Sequence, residues 1–241
     1  MTYLPLTGER TLPGVWHENY WFRRHEAAYH WVVRELPLPG GVVVEAGCGE
    51  GYGGALLAAA GAAVVLGLDL DEPTLRHVAT YYHDVCPARA NLVHLPCRTG
   101  GVDLVVSSQV VEHLWDQDRF VRECARVLRP GGRLVLTTPN RRTFPPGNPF
   151  HSRELDAGEL TDLLSPHLEV TSIAGLHHGP RLEALDHELA HVGGLVAAQV
   201  AAPPDDWPRA LADAVTSVTA DDFTVGGHPG SLDLLAVGVR R

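Results

Sequence analysis

The stretch Val42-Val43-Val44-Glu45-Ala46-Gly47-Cys48-Gly49-Glu50-Gly51 ends a β-branched run on a carboxylate and then places glycines at alternate positions. Glycines there let the backbone bend sharply and let a ligand lie directly against main-chain N–H groups at a helix N-terminus. The same stretch satisfies G-x-G-x-x-G at Gly49, Gly51 and Gly54, the pattern of a dinucleotide-binding turn. Register argues against that reading, because the glycine nearest the strand is Gly47 and its own match fails at Tyr52. Glu45 also stands where a carboxylate can receive an ammonium, which a pyrophosphate-binding turn would avoid on charge grounds. A second pattern, His187-Glu188-Leu189-Ala190-His191, fits H-E-x-x-H, two imidazoles one helical turn apart as in zinc peptidases. No glutamate follows Glu188 and the extended spacing finds Ala197, leaving Asp205, Asp206, Asp221 and Asp222 as third-ligand candidates and a zinc hydrolase as a distant alternative.

These residues need a scaffold, and short apolar runs separated by helical lengths supply one. Strands are expected at 42–45, 63–68, 103–106, 133–138 and 168–173, with helices at 55–60, 73–84, 117–128 and 156–165. Such alternation argues for an α/β fold, a parallel sheet covered on both faces. Pro130-Gly131-Gly132 reads as a turn between a helix and the next strand. Residues 1–41 form an aromatic-dense opening in which 19–34 is expected to be helical. Residues 42–174 form the core, and 175–241 contain helical segments near 181–192 and 208–218 before a closing apolar run at 232–239.

Composition narrows the chemistry. All 19 basic residues are arginine, so a P-loop lysine, a kinase lysine and a Schiff-base lysine are excluded. A formal charge of −10 argues against nucleic acid and anionic membrane surfaces as partners. No apolar run approaches a membrane span and no secretory leader pattern opens the chain, so a cytoplasmic location is expected. Cys48, Cys86, Cys97 and Cys124 are scattered without C-x-x-C spacing and are expected to be reduced thiols.

The glycine turn and its flanks resemble the class I S-adenosylmethionine-dependent methyltransferases, whose E/D-x-G-x-G-x-G motif is matched by Glu45, Gly47, Gly49 and Gly51. Residues 103–114 are similar to the family's D-x-V-x-x-x-x-V-x-E-H-L, and 128–132 to its L-x-P-G-G. The resemblance implies a Rossmann-like fold with a seven-stranded, mostly parallel sheet, and S-adenosylmethionine as cofactor. It implies that Asp69, 24 residues after Glu45, holds the ribose hydroxyls, that Leu70 flanks the adenine, and that Asn91 and Leu92 meet its edge. Cys48, Gln109 and Arg24 complete the expected cofactor contacts, Arg24 toward the methionine carboxylate.

Methyl transfer from a sulfonium is an in-line displacement, so the protein's task is alignment and exclusion of water. Ser107-Ser108-Gln109-Val110 stands where amino-group methylases of the family resemble [DNSQ]-P-P-[YFW], and Pro96-Cys97 falls too early for cytosine chemistry. An oxygen acceptor remains, and an aliphatic hydroxyl needs a base. His151 is the first candidate, against the alternative of a helix-capping histidine; Glu112 and His113 are the second, against a purely structural role. Tyr20, Trp21, His25, His177 and His178 are expected on the substrate side. Gly8-Glu9-Arg10, Pro13-Gly14 and residues 18–26 resemble the openings of actinobacterial methyltransferases linked to sugar and polysaccharide methylation. That resemblance implies a mannoside or glucoside unit of an oligosaccharide or polysaccharide precursor as acceptor, with a quinone or phenol as the alternative. A divalent cation such as magnesium, drawn to His151, His177, His178 and nearby carboxylates, fits vicinal hydroxyls without a fixed ligand set. The oligomeric state is not legible.

Overall fold

A computed structural model describes Leu4, residues 10–36, Leu38 and residues 40–241. Gly8 and Glu9, part of the N-terminal resemblance, lie outside the described residues. The strands are β1 (Val42–Ala46), β2 (Val64–Asp69), β3 (Val85–Arg89), β4 (Val102–Ser108), β5 (Leu128–Pro139), β6 (Glu169–His178), β7 (Phe223–Gly227) and β8 (Asp233–Val239). They form one sheet in the order β3-β2-β1-β4-β5-β8-β6-β7. The first five run parallel, and β8 runs antiparallel between β5 and β6. The chain leaves β1 toward β2 on one side and returns as β4 on the other. The carboxyl ends of β1 and β4 therefore open a crevice at a topological switch point, where open α/β sheets bind ligands.

The helices are α1 (Asn19–Glu35), α2 (Tyr52–Ala59), α3 (Glu72–Tyr81), α4 (Gln117–Val127), α5 (Ala157–Leu164), α6 (Pro180–Glu188), α7 (Gly194–Val200) and α8 (Arg209–Thr216). Alternate strand residues point to opposite faces. Val44, Val105, Leu134 and Leu136 pack with Phe120 and Leu160 under α4 and α5, while Val43, Leu104, Val106 and Val135 pack with Tyr29, Leu57 and Val78 under α1, α2 and α3. A third cluster joins Tyr20 of α1 to Leu182, Leu195, Leu211 and Val215 from α6, α7 and α8. No helix among the described residues is long and apolar enough to cross a membrane.

The sheet has eight strands, one more than the expected seven, because β7 pairs antiparallel with the outer edge of β6. Pro130-Gly131-Gly132 is the opening of β5 and not a separate turn: the β4–β5 register shifts between Val102 and Leu104, and Gly131 takes φ 75° within the irregularity. The helix expected over 181–192 stops at Glu188 and gives way to a 3₁₀ turn at Ala190–Val192.

Helix α1 is fastened to the sheet by a buried ion pair. Arg24 is 3% exposed and donates from Nε and Nη2 to the two oxygens of Asp233 at 2.6 Å each, with Nη2 also reaching the Leu232 carbonyl at 2.9 Å. Removing one member of such a pair strands a buried charge, at about 3–5 kcal/mol. Arg24→Ala and Asp233→Ala are each expected to lower unfolding free energy by about that amount, and the double variant by less than the sum. Urea titration measures this; single-variant losses below about 1 kcal/mol, the scale of a surface pair, would contradict the assignment.

Candidate functional site

The turn after β1 is built with little side chain between the backbone and the crevice. Gly47, Gly49 and Gly51 take φ values of 86°, 50° and 106°, the left-handed region that glycine adopts at little cost. A Cβ on Gly47 would lie 2.4 Å from Val110 Cγ2, whereas one on Gly49 would meet nothing within 4 Å. The N–H groups of Gly47 and Cys48 donate to the Leu68 carbonyl at 2.8 and 2.9 Å, tying the turn to β2. Glu50 fixes its far side, its carboxylate meeting His77 Nε2 at 2.8 Å and accepting from the Tyr82 hydroxyl at 2.6 Å.

Around this turn lies a cavity of about 500 Å³, within the range of small-molecule and cofactor pockets. Asp69 ends β2 in its wall, one carboxylate oxygen accepting from Gly49 N–H and the other from Asp71 N–H, both at 3.0 Å. Each oxygen keeps lone-pair capacity for a further donor. Leu70, 62% exposed, and Leu92 give the wall an apolar section, and Asn91 stands beside them with its Oδ1 accepting from Val93 N–H. Cys48 lines the cavity with its thiol pushed up by burial. Gln109 is the one non-glycine residue among the described residues with positive φ, 55°, held by donation of its N–H to the Thr137 carbonyl at 2.9 Å. Strain of that kind persists only where the surroundings enforce it.

Glu45 stands behind the turn, fully buried and outside the cavity wall. Its Oε1 accepts from the Tyr29 hydroxyl at 2.7 Å, while burial pushes its pKa up to about 8. A Cβ on Gly53 or Gly54 would overlap its carboxylate oxygens at 2.3 and 2.7 Å. The side chain thus supports the start of α2 from below instead of facing a ligand.

A second cavity, of about 270 Å³, adjoins the first: Arg10, Thr11, His25, Gln109 and His113 line both. Trp21, Phe144 and Asn148 bound the second, together with Glu112 and His151. Glu112, His113 and His151 are brought together, with one ligand atom from each within 4.8 Å of the others. Glu112 is fully buried, accepts from the Thr138 hydroxyl at 3.0 Å, and has its pKa pushed up to about 8 by burial. His113 and His151 stack edge to face, ring centroids 4.9 Å apart. His151 Nδ1 meets the Glu154 carboxylate at 2.7 Å and its Nε2 meets the Asn148 amide nitrogen at 3.1 Å. The helix-capping alternative fails, since the capping box of α5 is made by Asp156 and Glu159. His25 keeps its place in both walls, its pKa lowered to about 4 by burial, which leaves it neutral near pH 7.

Several expected site residues belong to the framework. Arg24 touches the second cavity, but its guanidinium is committed to Asp233, so it is not a free partner for a cofactor carboxylate. Tyr20 is fully buried and its hydroxyl meets His178 Nε2 at 2.7 Å, and neither lines either cavity; burial lowers the His178 pKa to about 4. His177 Nε2 donates to the Gly227 carbonyl at 2.7 Å across the β6–β7 pair. His187 and His191 are exposed on either side of the helix end at Glu188. Among the described residues the one metal-competent His/Cys/Asp/Glu group is Glu112, His113 and His151, so the H-E-x-x-H reading has no ligand set.

The sequence reading missed Arg10, Thr11, Tyr29, Asn148 and Glu154. Arg10 Nη1 donates to Thr74 Oγ1 at 2.6 Å and Nη2 pairs with Asp71 at 3.0 Å, drawing the N-terminal segment across the first cavity. The i,i+3 spacing of His151 and Glu154 was a readable signal; the partners of Arg10 and Tyr29 are distant in sequence and left none.

A family pattern described as a methyltransferase domain matches residues 44–136. Over 250 residues, 98% of this chain and 95% of the relative, the sequence is 48% identical to a Mycolicibacterium smegmatis protein named "Probable S-adenosylmethionine-dependent methyltransferase". A Coxiella burnetii ubiquinone biosynthesis O-methyltransferase is 24% identical over 177 residues, covering 65% of this chain and 75% of that one. Among solved structures, a chain of the complex between the Haloferax volcanii Trm112 methyltransferase activator and a methyltransferase superposes with TM-score 0.63 at 20% identity, covering 93% of both chains.

The raised pKa of Glu45 has a stability consequence. The folded protein holds the proton more tightly than the unfolded chain, so the contribution of this site is fully present below the ordinary carboxylate pKa near 4.5 and is lost as pH rises toward 8. Glu45→Gln keeps an acceptor for Tyr29 and abolishes the titration. Melting temperatures should therefore favour the variant more at pH 8 than at pH 5; parallel pH profiles for the two proteins would refute the assignment.

Proposed function

Since the chain belongs to the S-adenosylmethionine-dependent methyltransferases, we propose that its acceptor is a hydroxyl group of a small molecule, a mannoside or glucoside unit before other classes. The observation that carries this reading is the cluster of Glu112, His113 and His151 in the wall of a cavity that shares five residues with the cofactor cavity. S-adenosylmethionine supplies a methyl group on a cationic sulfonium. Everything else is asked of this chain: to hold donor and acceptor in line and to keep water out.

Residues of the first cavity fit the cofactor. The bare backbone of the turn at 47–51 suits its methionine end, Asp69 suits a pair of ribose hydroxyls, and Leu70, Asn91 and Leu92 suit the adenine. Gln109, wedged between the cavities by its enforced backbone, sets the boundary that the transferred group must cross. In the protein without a bound cation, His151 is placed to withdraw the hydroxyl proton at Nε2: the Glu154 carboxylate accepts from Nδ1–H and so leaves the electron pair on the other nitrogen. Approach of an acceptor displaces the Asn148 amide from that nitrogen. Trp21 and Phe144 offer faces for a sugar ring, and Asn148 and Glu18 offer hydrogen bonds to its hydroxyls.

A quinone or phenol acceptor is the second reading, favoured by the likeness to a ubiquinone biosynthesis O-methyltransferase. A phenol ionises near pH 10 without help and would depend less on a base. A net charge of −10 disfavours a polyanionic acceptor such as nucleic acid under either reading.

Labelled methyl transfer to matched panels of glycosides and phenols separates the two readings. Glycoside methylation that falls at least tenfold in His151→Ala, with cofactor affinity unchanged, is the expected result; turnover confined to phenols would transfer the assignment to the second class. Asp69→Ala should weaken cofactor binding by about 1.5–3 kcal/mol, the scale of hydrogen bonds to a charged group. Calorimetry reads this directly, and unaltered affinity would remove Asp69 from the cofactor site.

A further inference from the structure

We propose that Glu112, His113 and His151 bind one divalent transition-metal ion at the floor of the acceptor cavity, ahead of magnesium or calcium. The binding follows from the residues alone; its catalytic consequence rests on the hydroxyl-acceptor reading above. One donor atom from each of the three side chains lies within 4.8 Å of the others, close enough to meet on a single ion. Two imidazole nitrogens and one carboxylate oxygen form a donor set suited to zinc, manganese, iron or cobalt, whereas magnesium and calcium prefer oxygen throughout.

Independent features point to a cation here. Glu112 is fully buried, and while one carboxylate oxygen accepts from Thr138, Oε1 has no hydrogen-bond partner. An unpartnered carboxylate oxygen removed from water is costly, and a bound cation would relieve that cost. Both histidines are oriented from behind as metal-ligating histidines are: Nδ1 of His151 faces the Glu154 carboxylate at 2.7 Å, and Nδ1 of His113 donates to the Phe150 carbonyl at 3.0 Å. For His151 the Asn148 amide donates to Nε2, so the electron pair lies on that nitrogen and the proton on Nδ1. The Asn148 amide, 3.1 Å from Nε2 of His151, holds the position that an ion would take.

The loop bearing His151 is also held in register with the 3₁₀ turn Val111–His113. Ser152 N–H donates to the Glu112 carbonyl at 2.7 Å and its hydroxyl to the Leu114 carbonyl at 2.7 Å, so the ligands arrive from two segments already joined. Three protein ligands leave positions open toward the cavity, the arrangement of a catalytic rather than a structural ion. An ion there would lower the pKa of an acceptor hydroxyl, whose proton would leave to bulk solvent as the acceptor binds, before water is excluded for the transfer. The methyl carbon gains the bond to that oxygen as its bond to sulfur breaks, and the electron pair of the broken bond stays on sulfur as a neutral thioether.

The test uses the full-length protein, stripped with chelator, dialysed and titrated with cobalt(II). One cobalt per chain with a visible d–d absorption band is expected. Glu154→Gln, which removes the carboxylate behind Nδ1 of His151, should weaken cobalt binding about 10–100-fold, and His151→Ala further, with circular dichroism confirming that both variants fold. His187→Ala combined with His191→Ala should leave the stoichiometry at one. Absence of bound cobalt, indifference to both His151→Ala and Glu154→Gln, or loss in the His187/His191 variant would each overturn the site. Bound cobalt without methylation of any hydroxyl would sink the acceptor reading and leave the site standing. Hydroxyl methylation at full rate by metal-free protein that takes up no cobalt would do the reverse.

Discussion

Strand β1 must end in a backbone with no side chain on its cavity-facing side, and most of the molecule answers to that constraint. Val110 leaves no room for a Cβ at Gly47, and Tyr82 leaves none at Gly51, where a Cβ would lie 2.7 Å from its ring. Beneath the turn the Glu45 carboxylate fills the space that side chains at Gly53 and Gly54 would need. Burying that carboxylate is unfavourable, as its raised pKa records, and the Tyr29 hydroxyl offsets part of the cost. A bare turn, a glycine-started helix and a buried acid are therefore one feature of the fold.

Helix α1 carries the constraint to the second cavity. Its residues reach three regions of the molecule: Tyr29 supports Glu45, Arg24 clamps Asp233 on β8, and Tyr20 joins His178 on β6. Between these anchors Trp21 and His25 face the cavities. Because Glu45 and Asp233 are fully buried and His178 is half-buried, the walls presented by α1 are fixed relative to β1, β6 and β8. The second cavity then takes its remaining chemistry from the segments after β4 and β5, which supply Glu112, His113 and His151.

The parallel core was legible because doubly covered strands are continuous apolar runs and the helices between them are periodic. β3 carries no such signal for a physical reason: Val85-Cys86-Pro87-Ala88-Arg89 contributes one buried residue, and proline is tolerated there because no strand among the described residues lies beyond it. β7 ends in two glycines and covers only the edge of β6. Among the cavity-lining residues, the turn glycines were legible from their spacing, and Asp69 and the Glu112–His113 pair through the family resemblance. Residue type did not reveal commitment elsewhere: an arginine and a tyrosine in an aromatic helix look available for ligands until Asp233 and His178 are seen opposite them. Glu45 illustrates the same limit, since a motif acid can serve the turn without touching what the turn holds.

The central claim is that the turn at 47–51, with Asp69, receives the nucleoside and amino-acid ends of the methyl donor. A crystal structure with S-adenosylhomocysteine tests it most directly. The account predicts the ribose hydroxyls on the Asp69 carboxylate and the homocysteine end along the backbone of Gly47 and Gly49. Density for the ligand at any other place, with this crevice empty, would contradict it.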